Sequence, residues 1–77
     1  MPEFPVLSGR EVVRGLGRLG FEQISQRGSH IQLRRGSATV IVPDHPEVRR
    51  GTLATILRQA GITIDELMTA WRIDDRR

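Results

Sequence analysis

The sequence contains no cysteine and no lysine, and it has only three aromatic residues, Phe4, Phe21 and Trp71. Without cysteine, neither a disulfide nor a thiolate metal site can hold the fold, which suits a reducing cytoplasm. Proteins that read single-stranded nucleic acid by stacking its bases need a platform of several aromatic side chains. The scarcity of aromatics therefore argues against that class of protein.

Long apolar segments are also missing. The longest run, Ala38 to Pro43, is far shorter than the roughly 20 residues that span a membrane. The N-terminus lacks the basic start and apolar core of a signal peptide. We therefore expect a cytoplasmic protein without membrane contact. The 77 residues predict one domain, 1–77, with a core from about 8 to 71, a lead-in at 1–7 and a tail at 72–77.

All 12 basic residues are arginine, and the net charge is +3. The guanidinium group matches phosphate geometry better than an ammonium group does, so a polyanionic partner such as RNA fits this composition. A genomic codon bias towards arginine also explains the missing lysines. The positions of the arginines are therefore more informative than their number.

The spacing of apolar residues predicts a helix, three strands, a second helix and a short third helix. The first helix begins at a capping box of Ser8 and Glu11 and ends at Gly20. The later elements are strands at Phe21–Arg27, His30–Arg35 and Ala38–Val42, a helix from about Thr52 to Ala60, a helix that opens at the Thr63 and Glu66 capping box, and a frayed tail at Asp74–Arg77. The odd spacing of Phe21 and Ile24 predicts a bulge or a bend in the first strand.

This order predicts an α+β fold with a three-stranded antiparallel sheet and helices packed on one face. The other face of the sheet would stay open to solvent. The double-stranded RNA-binding domain has the same order of elements, so we expect a similar architecture.

His30 is the main candidate for chemistry. It begins the middle strand with the parity of Gln32 and Arg34, so its side chain should point away from the helices. Histidine can act as acid and base near neutral pH, because its usual pKa is about 6.5. Gly28 permits a sharp turn or close approach to a phosphate, and Ser29 can donate a hydrogen bond to one. The alternative is an exposed histidine without a role.

His45 is the second candidate, in the loop that follows the third strand. It has three open roles: a second acid/base group, a phosphate contact, or a loop-shaping hydrogen bond. Two histidines with no third ligand at a suitable spacing make a poor metal site, so we predict none. Arg34 and Arg35, on the strand that His30 begins, are predicted to lie beside the site and hold phosphates.

Several segments together resemble the HicA family of small bacterial toxins. The resemblance covers roughly Ser8 to Leu67. It rests on Gly28-Ser29-His30, on Val42-Pro43-Asp44-His45, on Gly51-Thr52-Leu53, and on the run from Ile56 to Gly61.

The resemblance implies a metal-independent, cofactor-free ribonuclease that cleaves messenger RNA and slows translation and growth. It implies His30 as the catalytic residue, with Gly28 and Ser29 shaping the site, and a HicB-like antitoxin as protein partner. Two other functions fit the same sequence. One is a non-catalytic double-stranded RNA-binding module, and the other is a degenerate toxin kept only as a protein partner.

Overall fold

A computed structural model describes residues 4–75 of the chain. It contains three helices and one three-stranded sheet. In chain order these elements are α1 (Gly9–Arg18), β1 (Glu22–Arg27), β2 (His30–Arg35), β3 (Ala38–Pro43), α2 (Arg50–Ala60) and α3 (Ile64–Asp75). The predicted α+β class and the order of elements are confirmed.

The predicted capping box starts α1. The Glu11 amide donates to Ser8 Oγ at 3.1 Å, and the Ser8 amide donates to Glu11 Oε1 at 2.8 Å. Two otherwise unpaired backbone donors are thereby satisfied. The helix ends at Arg18, and Gly20 follows with φ of 97°, a conformation that favours glycine.

The strands form an antiparallel sheet in the order β1-β2-β3. Ile31 and Leu33 of β2 are buried opposite Val42 and Val40 of β3, so one face of the sheet belongs to the core. The ladder between β1 and β2 shifts between Gln23 and Ser25, which confirms the predicted bulge at Ile24. On the outer side of β3, the Ile41 amide donates to Gln59 Oε1 of α2 at 3.3 Å.

The helices form a layer on the buried face. Both α1 and α2 contact strands, whereas α3 packs chiefly on α1. Gly15 permits this packing, since a Cβ atom there would lie 2.6 Å from Leu67 Cδ1. Helices packing on the sheet were predicted and are confirmed, while the likeness to the double-stranded RNA-binding domain stays a prediction. Within residues 4–75, no helix has the length and apolarity needed to cross a membrane.

Two helices differ from their predicted bounds. The second begins at Arg50 rather than near Thr52, after an N-cap residue that makes no side-chain capping bond. The third helix was predicted to be short but has 12 residues and continues to Asp75. Neither glycine nor proline interrupts it, so Asp74 and Asp75 extend the helix instead of fraying. The last two residues of the predicted tail lie outside the described range.

Candidate functional site

The two histidines of the chain line one groove of about 490 Å³. We call this the histidine groove. Its walls come from β2, from the end of β3, from the loop that follows β3 and from the start of α2. The lining residues are His30, Ile41, Pro43, His45, Glu47, Arg49 and Thr52. The structure therefore brings together both of the imidazoles that the sequence singles out.

His30 is the first residue of β2 and is exposed, whereas Ile31 beside it is buried. Its side chain points away from the helices, as the strand alternation predicts. Gly28, in the turn before it, has φ of 56°, which is strained for any residue with a side chain. The half-buried Ser29 is held through its backbone, because its carbonyl oxygen accepts a 2.6 Å hydrogen bond from the Asp44 amide.

The loop that carries His45 is fixed at its start by α1. The Gly9 amide donates to the His45 carbonyl oxygen at 2.9 Å. Gly9 also lies directly against the backbone of Pro43 and Asp44. A Cβ atom on Gly9 would be 2.9 Å from the Pro43 carbonyl carbon and 3.1 Å from Asp44 Cα. The close approach of α1 to this loop therefore requires glycine at position 9.

Asp44 forms a salt bridge with Arg10 of α1. Arg10 Nε and Nη2 donate to Asp44 Oδ1 and Oδ2, each at 3.1 Å. Gln26 of β1 donates from Nε2 to Asp44 Oδ2 at 3.2 Å and also reaches the Gly28 carbonyl oxygen at 3.1 Å. The hydrogen bonds from Arg10 hold the pKa of the Asp44 carboxyl below its usual value.

The far end of the loop is fixed by the segment before α1. The Val48 amide donates to the Leu7 carbonyl oxygen at 2.7 Å, and the Val48 side chain is buried. Glu47 and Arg49, on either side of Val48, are exposed and line the histidine groove. The sequence places Arg49 just before the second helix, but no motif there singled out Glu47 or Thr52 as a site residue. The alternation around Val48 was the signal that would have placed Glu47 and Arg49 together.

Neither Arg34 nor Arg35 is among the residues that line the groove, and their predicted place beside the site stays a prediction. Arg34 shares the open sheet face with His30 but stands four residues along the strand, about 13 Å away at some 3.3 Å per residue. Arg35 has the opposite parity. Its Nη1 donates to the Leu19 carbonyl oxygen at 2.7 Å, and its guanidinium lies 4.5 Å from the centroid of the Phe21 ring. RNA binding by either arginine stays a prediction.

The groove thus offers two imidazoles, one carboxylate and one guanidinium to a bound molecule. Among the side chains of the described residues, no three histidine, aspartate or glutamate groups gather as they would around a metal ion. The chemistry that these residues can perform by themselves is proton transfer beside a bound anion.

Comparison with known proteins identifies the family. The family model described as the HicA toxin of bacterial toxin-antitoxin matches residues 9–62, a segment that runs from the start of α1 to just past α2. That segment includes both histidines, the turn before β2 and the loop after β3. A search of curated proteins found no match. Because the matched segment covers well over half of the 77 residues, this chain belongs to the HicA family of toxins from bacterial toxin–antitoxin systems.

Proposed function

We propose that this toxin is an endoribonuclease that cleaves messenger RNA without a metal ion and so slows translation and growth in the cytoplasm. The observation that supports this most is the histidine groove, in which His30 and His45 face the same space as Arg49. Two imidazoles beside one guanidinium provide a proton acceptor, a proton donor and an anchor for a phosphate.

The proposed reaction is transfer of the phosphodiester to the neighbouring 2′-oxygen. One imidazole accepts the proton of the 2′-hydroxyl as that oxygen attacks phosphorus. A protonated imidazole donates its proton to the departing 5′-oxygen. The products are a 2′,3′-cyclic phosphate and a 5′-hydroxyl, and the total number of protons is unchanged. We propose His30 as the principal acid/base residue and His45 as the second.

The surrounding residues have supporting roles in this proposal. Gly28 and Ser29 set the turn that presents His30, and Arg49 holds the phosphate that reacts. Arg34, on the same sheet face as His30, holds a phosphate further along the strand of RNA. Arg35 contributes mainly to the fold, because its guanidinium is already engaged by Leu19 and Phe21.

The test is cleavage of a labelled RNA by purified protein in the presence of a metal chelator. We expect cleavage by the wild type and a loss of about 100-fold or more in His30→Ala, the scale of general acid–base catalysis. His45→Ala should lose less. Arg72→Ala, at an exposed position on α3, serves as the control for a neutral surface change. Thermal unfolding establishes that each variant is folded.

Two results would contradict the proposal, and a third would revise the roles of the two histidines. Undiminished cleavage by folded His30→Ala protein would remove His30 from the mechanism. A wild type that binds RNA but never cleaves it would point instead to a non-catalytic RNA-binding module. A loss in His45→Ala equal to that in His30→Ala would make the two histidines equal partners.

A toxin of this family functions with an antitoxin. We propose a HicB-like protein that covers His30 and the Gly28-Ser29 turn, since these residues are accessible from solvent. Its acidic groups would then face the arginines near the groove, as complementary charge favours rapid and specific association. RNA bound to His30→Ala protein should be released in step with addition of the antitoxin. A stable complex of all three molecules would rule out covering of the site.

A further inference from the structure

We propose that Asp44 is a positioning residue, which sets the separation of His30 and His45 by joining the turn before β2, the loop after β3 and the start of α1. We call this set of contacts the Asp44 clamp, made by Gly9, Arg10, Gln26, Ser29 and Asp44. The inference rests on the proposed function, because the separation of the imidazoles matters only if both take part in the reaction.

The backbone of Asp44 connects the two segments that carry histidines. Its amide donates to the carbonyl oxygen of Ser29, the residue directly before His30. His45 follows Asp44 directly, and its own carbonyl oxygen accepts from the Gly9 amide. Each histidine therefore directly follows one of the two residues that share this hydrogen bond, and the two segments cannot move apart without breaking it.

The side chain of Asp44 extends the same connection to two further elements. Its two oxygens accept both donors of the Arg10 fork, and one of them also accepts from Gln26. Gln26 in turn donates to the carbonyl oxygen of Gly28, in the turn before His30. The carboxylate therefore holds the turn through Gln26, and the Asp44 amide holds it through the carbonyl group of Ser29.

The ion pair between Arg10 and Asp44 is expected to add little to the folding stability of the protein. The side chain of Arg10 is 73% exposed, and ion pairs with such exposure contribute little to folding. A carboxylate close to a groove that binds RNA also repels phosphate, unless a cation neutralises it. The bidentate pair with Arg10 supplies that neutralisation and fixes the orientation of Asp44. The geometry therefore fits control of position better than general stabilisation.

The test compares Asp44→Asn with Asp65→Asn, the same chemical change at an exposed residue of α3. The asparagine amide nitrogen would face the donors of Arg10 or Gln26, so the side chain cannot keep all its bonds. We expect kcat for RNA cleavage to fall about 10- to 100-fold with KM nearly unchanged, since a misplacement of about 1 Å costs on that order. Asp65→Asn should match the wild type.

Arg10 provides a second set of variants. Arg10→Lys keeps the charge but loses the planar fork, so kcat should fall between the wild type and Arg10→Ala. The double variant of Arg10→Ala with Asp44→Asn should be no slower than the worse single variant, because both changes break the same contact. Additive losses would show that Asp44 does not act through Arg10 and would overturn the clamp.

A readout independent of activity is provided by the two histidines, whose ring signals are easily assigned by NMR in a chain with no others. Asp44→Asn should shift the His45 ring signals and speed hydrogen exchange at the amides of Gly9 and Asp44. Unchanged spectra and exchange would overturn the proposal, as would unchanged kcat in an active enzyme. If the wild type fails to cleave RNA, the proposed function is wrong. The NMR spectra and the exchange rates then decide by themselves whether Asp44 fixes the turn before β2 and the loop after β3.

Discussion

Replacing Gly9 by alanine tests how strictly the start of α1 positions the loop that carries His45. An added Cβ would collide with the carbonyl group of Pro43, lying 2.9 Å from its carbon and 3.1 Å from Asp44 Cα. These are backbone atoms, so no side-chain rotation relieves the contact. Relief requires the loop to move away from α1 by on the order of 1 Å, because carbon atoms pack at about 3.5–4.0 Å.

The cost follows from two opposing effects. Overpacking of this kind destabilises by about 1–3 kcal/mol, while alanine in a helix gains up to about 1 kcal/mol over glycine. We therefore expect Gly9→Ala to lose about 1–2 kcal/mol of unfolding free energy. Gly17→Ala is the matched control on the same helix, since a Cβ there meets nothing within 4 Å. It should gain about 0.5–1 kcal/mol.

The assay measures thermal unfolding and RNA cleavage for both variants. For a domain of this size, about 1 kcal/mol shifts Tm by roughly 4–8 °C, so a separation of about 1.5–3 kcal/mol corresponds to a difference of about 6–24 °C between the two variants. Cleavage by Gly9→Ala should fall by up to about 100-fold at temperatures where the protein is folded, because the His45 loop is displaced. Equal Tm values and equal activity for the two variants would refute the reasoning about this contact.

Two further predictions concern charged residues. Arg35→Ala should lose about 1 kcal/mol of stability with its contacts to Phe21 and Leu19, whereas Arg34→Ala should unfold like the wild type but bind RNA less tightly and with weaker salt dependence. Denaturant unfolding and RNA titration separate them, and a reversed order would contradict the assigned positions. The folded pKa of Asp44 lies below its unfolded value of about 3.9, so its contribution is complete above that pH and is lost as pH falls through the folded pKa. The stability difference between wild type and Asp44→Asn should therefore stay constant from pH 8 to 5 and shrink below about pH 4, and a difference that grew with acid would show the opposite shift.

Local patterns in the sequence predicted much of the fold. Strand alternation gave the orientation of His30, and the spacing of Phe21 and Ile24 gave the bulge in β1. Both depend on neighbours in the chain, so one sequence suffices to predict them. The extent of α3 was underestimated, because the charged residues at its end suggested fraying although nothing in the chain stops the helix.

The site was harder to predict because it depends on contacts between distant segments. Asp44 is 34 residues from Arg10 and 18 from Gln26, and no periodicity connects them. Arg35 lies on the strand that His30 begins, but its contact with Phe21 depends on packing that the sequence did not predict. Glu47 lies beside Val48, whose pairing with the distant Leu7 fixes this end of the loop at the groove. The sequence showed which residue types could carry the chemistry. Which of them come together at the groove depends on the tertiary structure.

The bulge at Ile24 also bears on strand pairing between molecules of the toxin. β1 is one of the two edge strands of the sheet, and an edge strand can pair with a strand of another molecule. The extra residue interrupts the regular spacing of donors and acceptors along this edge, and the strand is bounded by the charged residues Glu22 and Arg27. The hydrogen-bonding groups of an incoming strand would not align with those of β1, and the strand would also lie beside two charged side chains. We therefore expect the irregularity to disfavour edge-to-edge pairing between copies of the protein.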